Sequence, residues 1–124
     1  MNDIKKIIFL MIILNFCAKK MPPPGKPDTQ PPDVEILNPS DRDTLEGEIE
    51  IKIEVKDKSK IIYVEVFSDD KSIGKDSIPP YIFKFLLSDS VHFLRAKAID
   101  EWDNIGYSGK IKIINKGFKR DTLK

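Results

Sequence analysis

Ile49-Glu50-Ile51-Lys52-Ile53-Glu54-Val55-Lys56 alternates apolar and charged residues without a break. Successive side chains of an extended chain point to opposite faces, so this stretch specifies a strand with one buried and one wet face. The same period continues outward in both directions. After the polar loop Asp57-Lys58-Ser59-Lys60, it places Ile62, Val64 and Val66 inward and Tyr63, Glu65 and Phe67 outward. Asp69-Asp70 is a turn into Lys71-Ser72-Ile73-Gly74, and Pro79-Pro80 breaks the chain. Tyr81, Phe83 and Phe85 then alternate with Ile82, Lys84 and Leu86, and Leu94, Ala96 and Ala98 with Phe93, Arg95, Lys97 and Ile99. Ile111 and Ile113 stand against Lys110 and Lys112. Upstream, Val34-Glu35-Ile36 is a brief strand stopped by Asn38-Pro39-Ser40, and Leu45 lies in a short strand before Gly47. Short strands with regular turn punctuation predict an all-β fold, a β-sandwich of about seven antiparallel strands over residues 33–115. Bulky Tyr81, Phe83 and Phe85 facing small Ala96 and Ala98 supply the large-against-small fit that two packed sheets need.

Composition narrows the function classes. At 124 residues the chain holds one domain at most. Lys+Arg at 21 nearly cancel Asp+Glu at 20, which argues against a nucleic-acid partner. One Cys excludes a disulfide framework and a thiolate zinc site, and one His excludes a multi-His metal centre. The strand carboxylates Glu50, Glu54 and Glu65 lie on flat wet faces rather than as a pair in a cleft, so hydrolase chemistry is not expected and the chain is read as no enzyme.

The N-terminus reads differently. Lys5-Lys6 precede the apolar run Ile7–Leu14, too short to span a bilayer and of the length of a secretory h-region, so residues 1–16 are expected to be a signal peptide. Leu14-Asn15-Phe16-Cys17 resembles a bacterial lipobox, with Leu14 at the expected third position upstream of the cysteine. Phe16 departs from the small residue that pattern favours. The resemblance implies lipidation at Cys17 and attachment to a membrane. Ala18–Pro32 carries six prolines in fifteen residues and is expected to be an extended spacer, reaching on the order of 45 Å at ~3.1 Å per residue. Residues 17–32 are thus read as lipidated Cys and linker, and residues 116–124 as a basic, patternless tail.

The segment 34–113 resembles a single bacterial Ig-like domain. The marks are VEILNPSDRDTLEG, IEIKIEVKD, Pro80-Tyr81-Ile82-Phe83 and Leu94-Arg95-Ala96-Lys97-Ala98-Ile99-Asp100. That family usually closes the following loop with Gly-Asn, where this chain has Asp103-Asn104. The resemblance implies an Ig-like or fibronectin type III-like sandwich and says little about activity, since such modules act as spacers, adhesion units or accessory domains.

Three candidate sites follow. Asp57 and the group Asp100, Asp103 and Asn104 lie in loops that share one end of an Ig-like sandwich, and their hard oxygens are candidate ligands for a structural Ca²⁺; otherwise they cap their own turns, and no cofactor is needed. Trp102, at the tip of the same loop, either contacts a partner or folds over the end of the core. On the outer face, Tyr63, Phe67 and Phe93 are ringed by Arg95, Lys97, Lys110 and Lys112, a candidate docking patch or ordinary cross-strand pairing. The resemblance also implies that His92 braces a corner between two strands by bonding backbone. The chain is accordingly read as an exported, lipid-anchored envelope module that contacts an envelope protein or a glycan. The alternative is a carbohydrate-recognition domain serving a separate enzyme.

Overall fold

A computed structural model describes residue 25 and residues 27–118; Cys17, the signal segment, most of the proline-rich stretch and the end of the tail lie outside the described residues. Nine strands follow in order: β1 (Asp33–Asn38), β2 (Thr44–Leu45), β3 (Glu48–Lys56), β4 (Ile61–Ser68), β5 (Lys71–Asp76), β6 (Tyr81–Leu86), β7 (Val91–Asp100), β8 (Ile105–Tyr107) and β9 (Ile111–Asn115). They make two sheets, one ordered β1-β3-β6 and the other β2-β9-β7-β4-β5 with β8 also on β7. The expected sandwich is there. The count exceeds seven because β2 and β8 are two and three residues long, below what an alternating pattern reveals. All pairings are antiparallel except β2 with β9.

The period-two reading sets the core. Ile49, Ile51 and Ile53 of β3, Tyr81 and Phe83 of β6, Val64 and Val66 of β4, and Leu94, Ala96 and Ala98 of β7 are buried in one cluster, with Phe85 packed on its rim. Ile62 departs from the expectation that it points inward: it is 43% exposed. The pairing of β4 with β7 shifts between Ile61 and Tyr63, so one extra residue bulges out and the alternation changes phase there. Gly74 is required by the core, since a Cβ on it would stand 2.9 Å from the Phe83 ring.

β7 is the central strand of the larger sheet. Its free edge is shared: β9 pairs with Val91–Leu94 and β8 with Lys97–Ile99. Ser108 closes the gap between them. Its N–H donates to the Ala96 carbonyl at 2.8 Å, and its hydroxyl accepts from the Ala96 N–H at 2.8 Å. β7 therefore runs from His92 at one end of the sandwich to Asp100 at the other, and both are buried.

The segment before β1 is part of the packed structure. Asp28 is 6% exposed and Pro32 is buried. The Pro32 carbonyl lies so close over Gly106 that no Cβ fits there. Residues 27–32, expected from their composition to end a passive spacer, instead lie along the end of the sandwich. The physical reason is that Asp28 finds hydrogen-bond donors there, which a proline-rich composition does not disclose.

Candidate functional site

At the β7 N-terminal end, the β4–β5 hairpin turns through Asp69 and Asp70, both at positive φ (52° and 68°). Two left-handed residues in a two-residue loop match the twist of the flanking strands, and Asp tolerates that conformation better than most. The turn sets Asp69 beside His92. His92 Nε2 accepts the backbone N–H groups of Ser88 and Asp89, both at 3.1 Å, so the ring proton sits on Nδ1. Nδ1 faces Ser68 Oγ at 3.1 Å and Asp69 Oδ2 at 3.2 Å. The ring edge meets Phe85 with centroids 5.0 Å apart. Both nitrogens bind neighbouring groups of the fold, so His92 braces the corner, largely through backbone as expected. A recess of about 220 Å³ beside it is lined by Ile73, Phe85 and Asp89 among others.

At the opposite end, three carboxylates converge: Asp28 from the segment before β1, Asp57 from the β3–β4 loop and Asp100 from the end of β7, with ligand oxygens all within 4.8 Å of one another. Asp100, fully buried, accepts the N–H groups of Trp102 and Asn104 on Oδ1 and the Asn104 amide on Oδ2. The same amide donates to the Asp28 backbone carbonyl at 2.7 Å, tying the N-terminal segment to the loop. Asp28 accepts Ser59 Oγ at 2.7 Å and the Gln30 N–H at 3.0 Å. Asp57 Oδ1 accepts the Ser59 N–H, but its Oδ2 is enclosed and has no hydrogen-bond partner. Burial, and after it the neighbouring Asp100, push the Asp57 carboxyl above its ordinary value. Burial pushes Asp100 up, but the hydrogen bonds it makes with Asn104, Asp57 and Trp102 together hold that carboxyl below the usual range. The Ser59 and Gln30 hydrogen bonds lower Asp28.

The structure brings together part of the expected ligand set and leaves part of it apart. Asp57 and Asp100 meet. Asn104 donates to Asp100 and to the Asp28 backbone carbonyl. Asp103 is exposed at φ 64° on the loop and stands outside the trio. The third carboxylate of the trio is Asp28, the only acid in the stretch 18–32. That isolation was the one sequence signal that could have pointed to it. Trp102 is half-buried beside Asp100.

On the outer face, strand register lays out the third site. Tyr63 stands opposite Ile99, Glu65 opposite Lys97, and Phe67 opposite Arg95, while Lys97 and Ile99 face Tyr107 and Ile105 of β8. Lys75 lies 4.2 Å and Lys97 5.8 Å from the Tyr63 ring centre, and Arg95 stacks 4.1 Å over Tyr107. Contacts of this kind are worth about 0.5–1 kcal/mol at exposed sites. Phe93 is 43% exposed near the other end of β7, opposite Lys112. Lys110 pairs with Asp70 at 3.7 Å. Tyr107 and Lys75, absent from the sequence reading, complete the cation–aromatic rows; their strands are too short or too polar to announce which way they face.

Two facing, mostly antiparallel sheets, β1-β3-β6 against β2-β9-β7-β4-β5, make an immunoglobulin-like sandwich, the architecture of many cell-surface domains. The chain belongs to the bacterial Ig domain family, whose family model matches residues 32–96, more than half of its length. Among solved structures, it resembles the fibronectin(III)-like modules of Clostridium thermocellum CbhA, with a TM-score of 0.66 and 24% identity over 71% of this chain and 100% of that one. It also resembles part of the endo-beta-1,4-mannanase from Thermotoga petrophila, with a TM-score of 0.56 and 15% identity over 71% of this chain and 20% of the mannanase chain. These likenesses concern the fold. No curated protein matches the sequence.

Proposed function

We propose that this chain is a non-catalytic display module of the bacterial cell envelope. It is exported by residues 1–16, anchored by lipid on Cys17 and held off the membrane by the proline-rich segment. It contacts an envelope protein or glycan through the outer face of β4, β7 and β8. The observation that supports this reading is the row of Tyr63, Phe67 and Tyr107 interleaved with Lys75, Arg95 and Lys97, because ordered aromatic and cationic side chains are enriched at contact surfaces. Photo-crosslinking from position 107 in intact cells should capture one envelope partner, and Arg95→Glu with Lys97→Glu should abolish the capture. A crosslinking pattern unchanged by the double charge reversal would refute the face. Labelling with a fatty-acid analogue, lost in Cys17→Ser, tests the anchor separately.

A second reading is a carbohydrate-recognition domain serving a separate enzyme. It is favoured by the half-buried Trp102 on an end loop and by the presence of a similar fold within a mannanase. Glycan-array binding that disappears in Trp102→Ala, without loss of the envelope crosslink, would select it.

A further inference from the structure

The end of the sandwich where residues 27–32 cross the loops holds more negative charge than its surroundings neutralise. The Asp28 side chain is 4% exposed and Asp100 is 0% exposed. The basic group paired with the trio is Lys58, whose Nζ stands 3.8 Å from Asp28 Oδ1 on a side chain 66% exposed. Carboxylates crowded in a low-dielectric site do not all remain ionised unless a positive charge or a proton stands among them. The arrangement also leaves an oxygen with nothing to bind. Asp57 Oδ2 is, among the described residues, the buried side-chain polar atom without a hydrogen-bond partner. Buried oxygens are otherwise almost always paired, so an orphan inside a ring of carboxylates indicates a missing partner.

The geometry points to a Ca²⁺ site formed by the carboxylates of Asp28, Asp57 and Asp100, with Asp57 Oδ2 as the ligand oxygen left without a hydrogen-bond donor. The donors are hard oxygens with no nitrogen or sulfur among them, which selects Ca²⁺ or Mg²⁺ over transition metals. They come from three separate chain segments, one of them the β3–β4 loop, which suits the flexible coordination of Ca²⁺ rather than the strict octahedron of Mg²⁺. The ion joins the segment leading from the stalk to the β3–β4 loop and to the end of β7. Calcium would thereby set the angle at which the module leaves its tether.

The test uses the purified full chain after dialysis against EDTA, with CaCl₂ or MgCl₂ added back and unfolding followed by circular dichroism. At a hundredfold excess over the dissociation constant, Ca²⁺ should raise the melting temperature by about 10 °C. Asp57→Asn should lose that shift, Asp28→Asn should weaken it while leaving the strands intact, and Asp103→Asn should retain it. Trp102, the only tryptophan, lies beside the site and should sensitise terbium emission that Ca²⁺ displaces. The proposal is overturned by the absence of any shift up to about 10 mM CaCl₂, beyond the range of extracellular calcium modules. It is equally overturned by a shift that survives in Asp57→Asn. The second outcome would place the ion elsewhere on the chain.

Discussion

The two ends of β7 bury polar groups in contrasting ways. At the His92 end, each ring nitrogen faces a partner, and the aspartate beside it accepts the Phe93 N–H as well. At the Asp100 end, acids gather from distant segments and an oxygen is left over. A closed network of this kind rigidifies a corner, whereas an open one leaves a site whose stability depends on what occupies it. The first end is built for holding the sandwich together, and the second is the one expected to respond to ions and pH.

Substitutions at the two ends should therefore differ in size and in sign. The largest expected effect is His92→Ala, which leaves a cavity against Phe85 and orphans the Ser88 and Asp89 N–H groups. A loss of about 3–4 kcal/mol is expected in denaturant unfolding, independent of calcium. Asp100→Ala should cost less, about 2–3 kcal/mol without metal. It strands the Trp102 and Asn104 donors but also relieves repulsion with Asp57. If the two losses are equal and neither responds to ions, the contrast between the ends fails. Gly106→Ala should cost about 1–3 kcal/mol. It pushes Pro32 off the sheet and should abolish the calcium shift by withdrawing Asp28 from the trio.

Asp57→Asn should act in the opposite direction. The folded state raises the Asp57 carboxyl above its ordinary 3.8, so folded protein holds that proton more tightly than unfolded chain. The resulting stabilisation is complete at the most acid pH and lost as pH rises through the folded value. In EDTA, wild type should therefore fall behind Asp57→Asn as pH climbs above the ordinary carboxyl value of 3.8. Melting curves that diverge the other way would show that repulsion at this end is unimportant. Asp28 and Asp100 are shifted down, so their stabilisation is lost on acidification below 3.8. The smallest effect is expected from Lys58→Ala. Its side chain is largely exposed, so the pair with Asp28 should contribute less than about 0.5 kcal/mol in a double-mutant cycle. A larger coupling would make Lys58 the counter-charge of the trio.

The sandwich was legible because its evidence is local. Glu48–Lys56 and Leu94–Ala98 declare their faces by period two, and the complement of Phe83 against alanines is written in side-chain size. Ile62 was misplaced because a bulge changes phase without any residue that marks it. The outer-face row was half legible: Tyr63, Phe67 and Arg95 followed from alternation, while Tyr107 and Lys75 needed the pairings of β8 and β5. The carboxylate trio was the least legible. Asp57 and Asp100 were placed at one end by the expected topology, but Asp103 sits one turn away, and Asp28 lay in a stretch whose prolines imply a chain without contacts.

By itself, then, the order of residues determined which face of the long alternating strands is dry, that the strands form two layers, and that an apolar run and a proline-rich stretch precede them. These are properties of neighbours along the chain, decided by backbone geometry and burial. Only the tertiary structure decided that Asp28 meets Asn104, 76 positions away, and that three acids share a buried end. Proximity between segments so far apart is set by how whole sheets close over one another, and no local pattern encodes it.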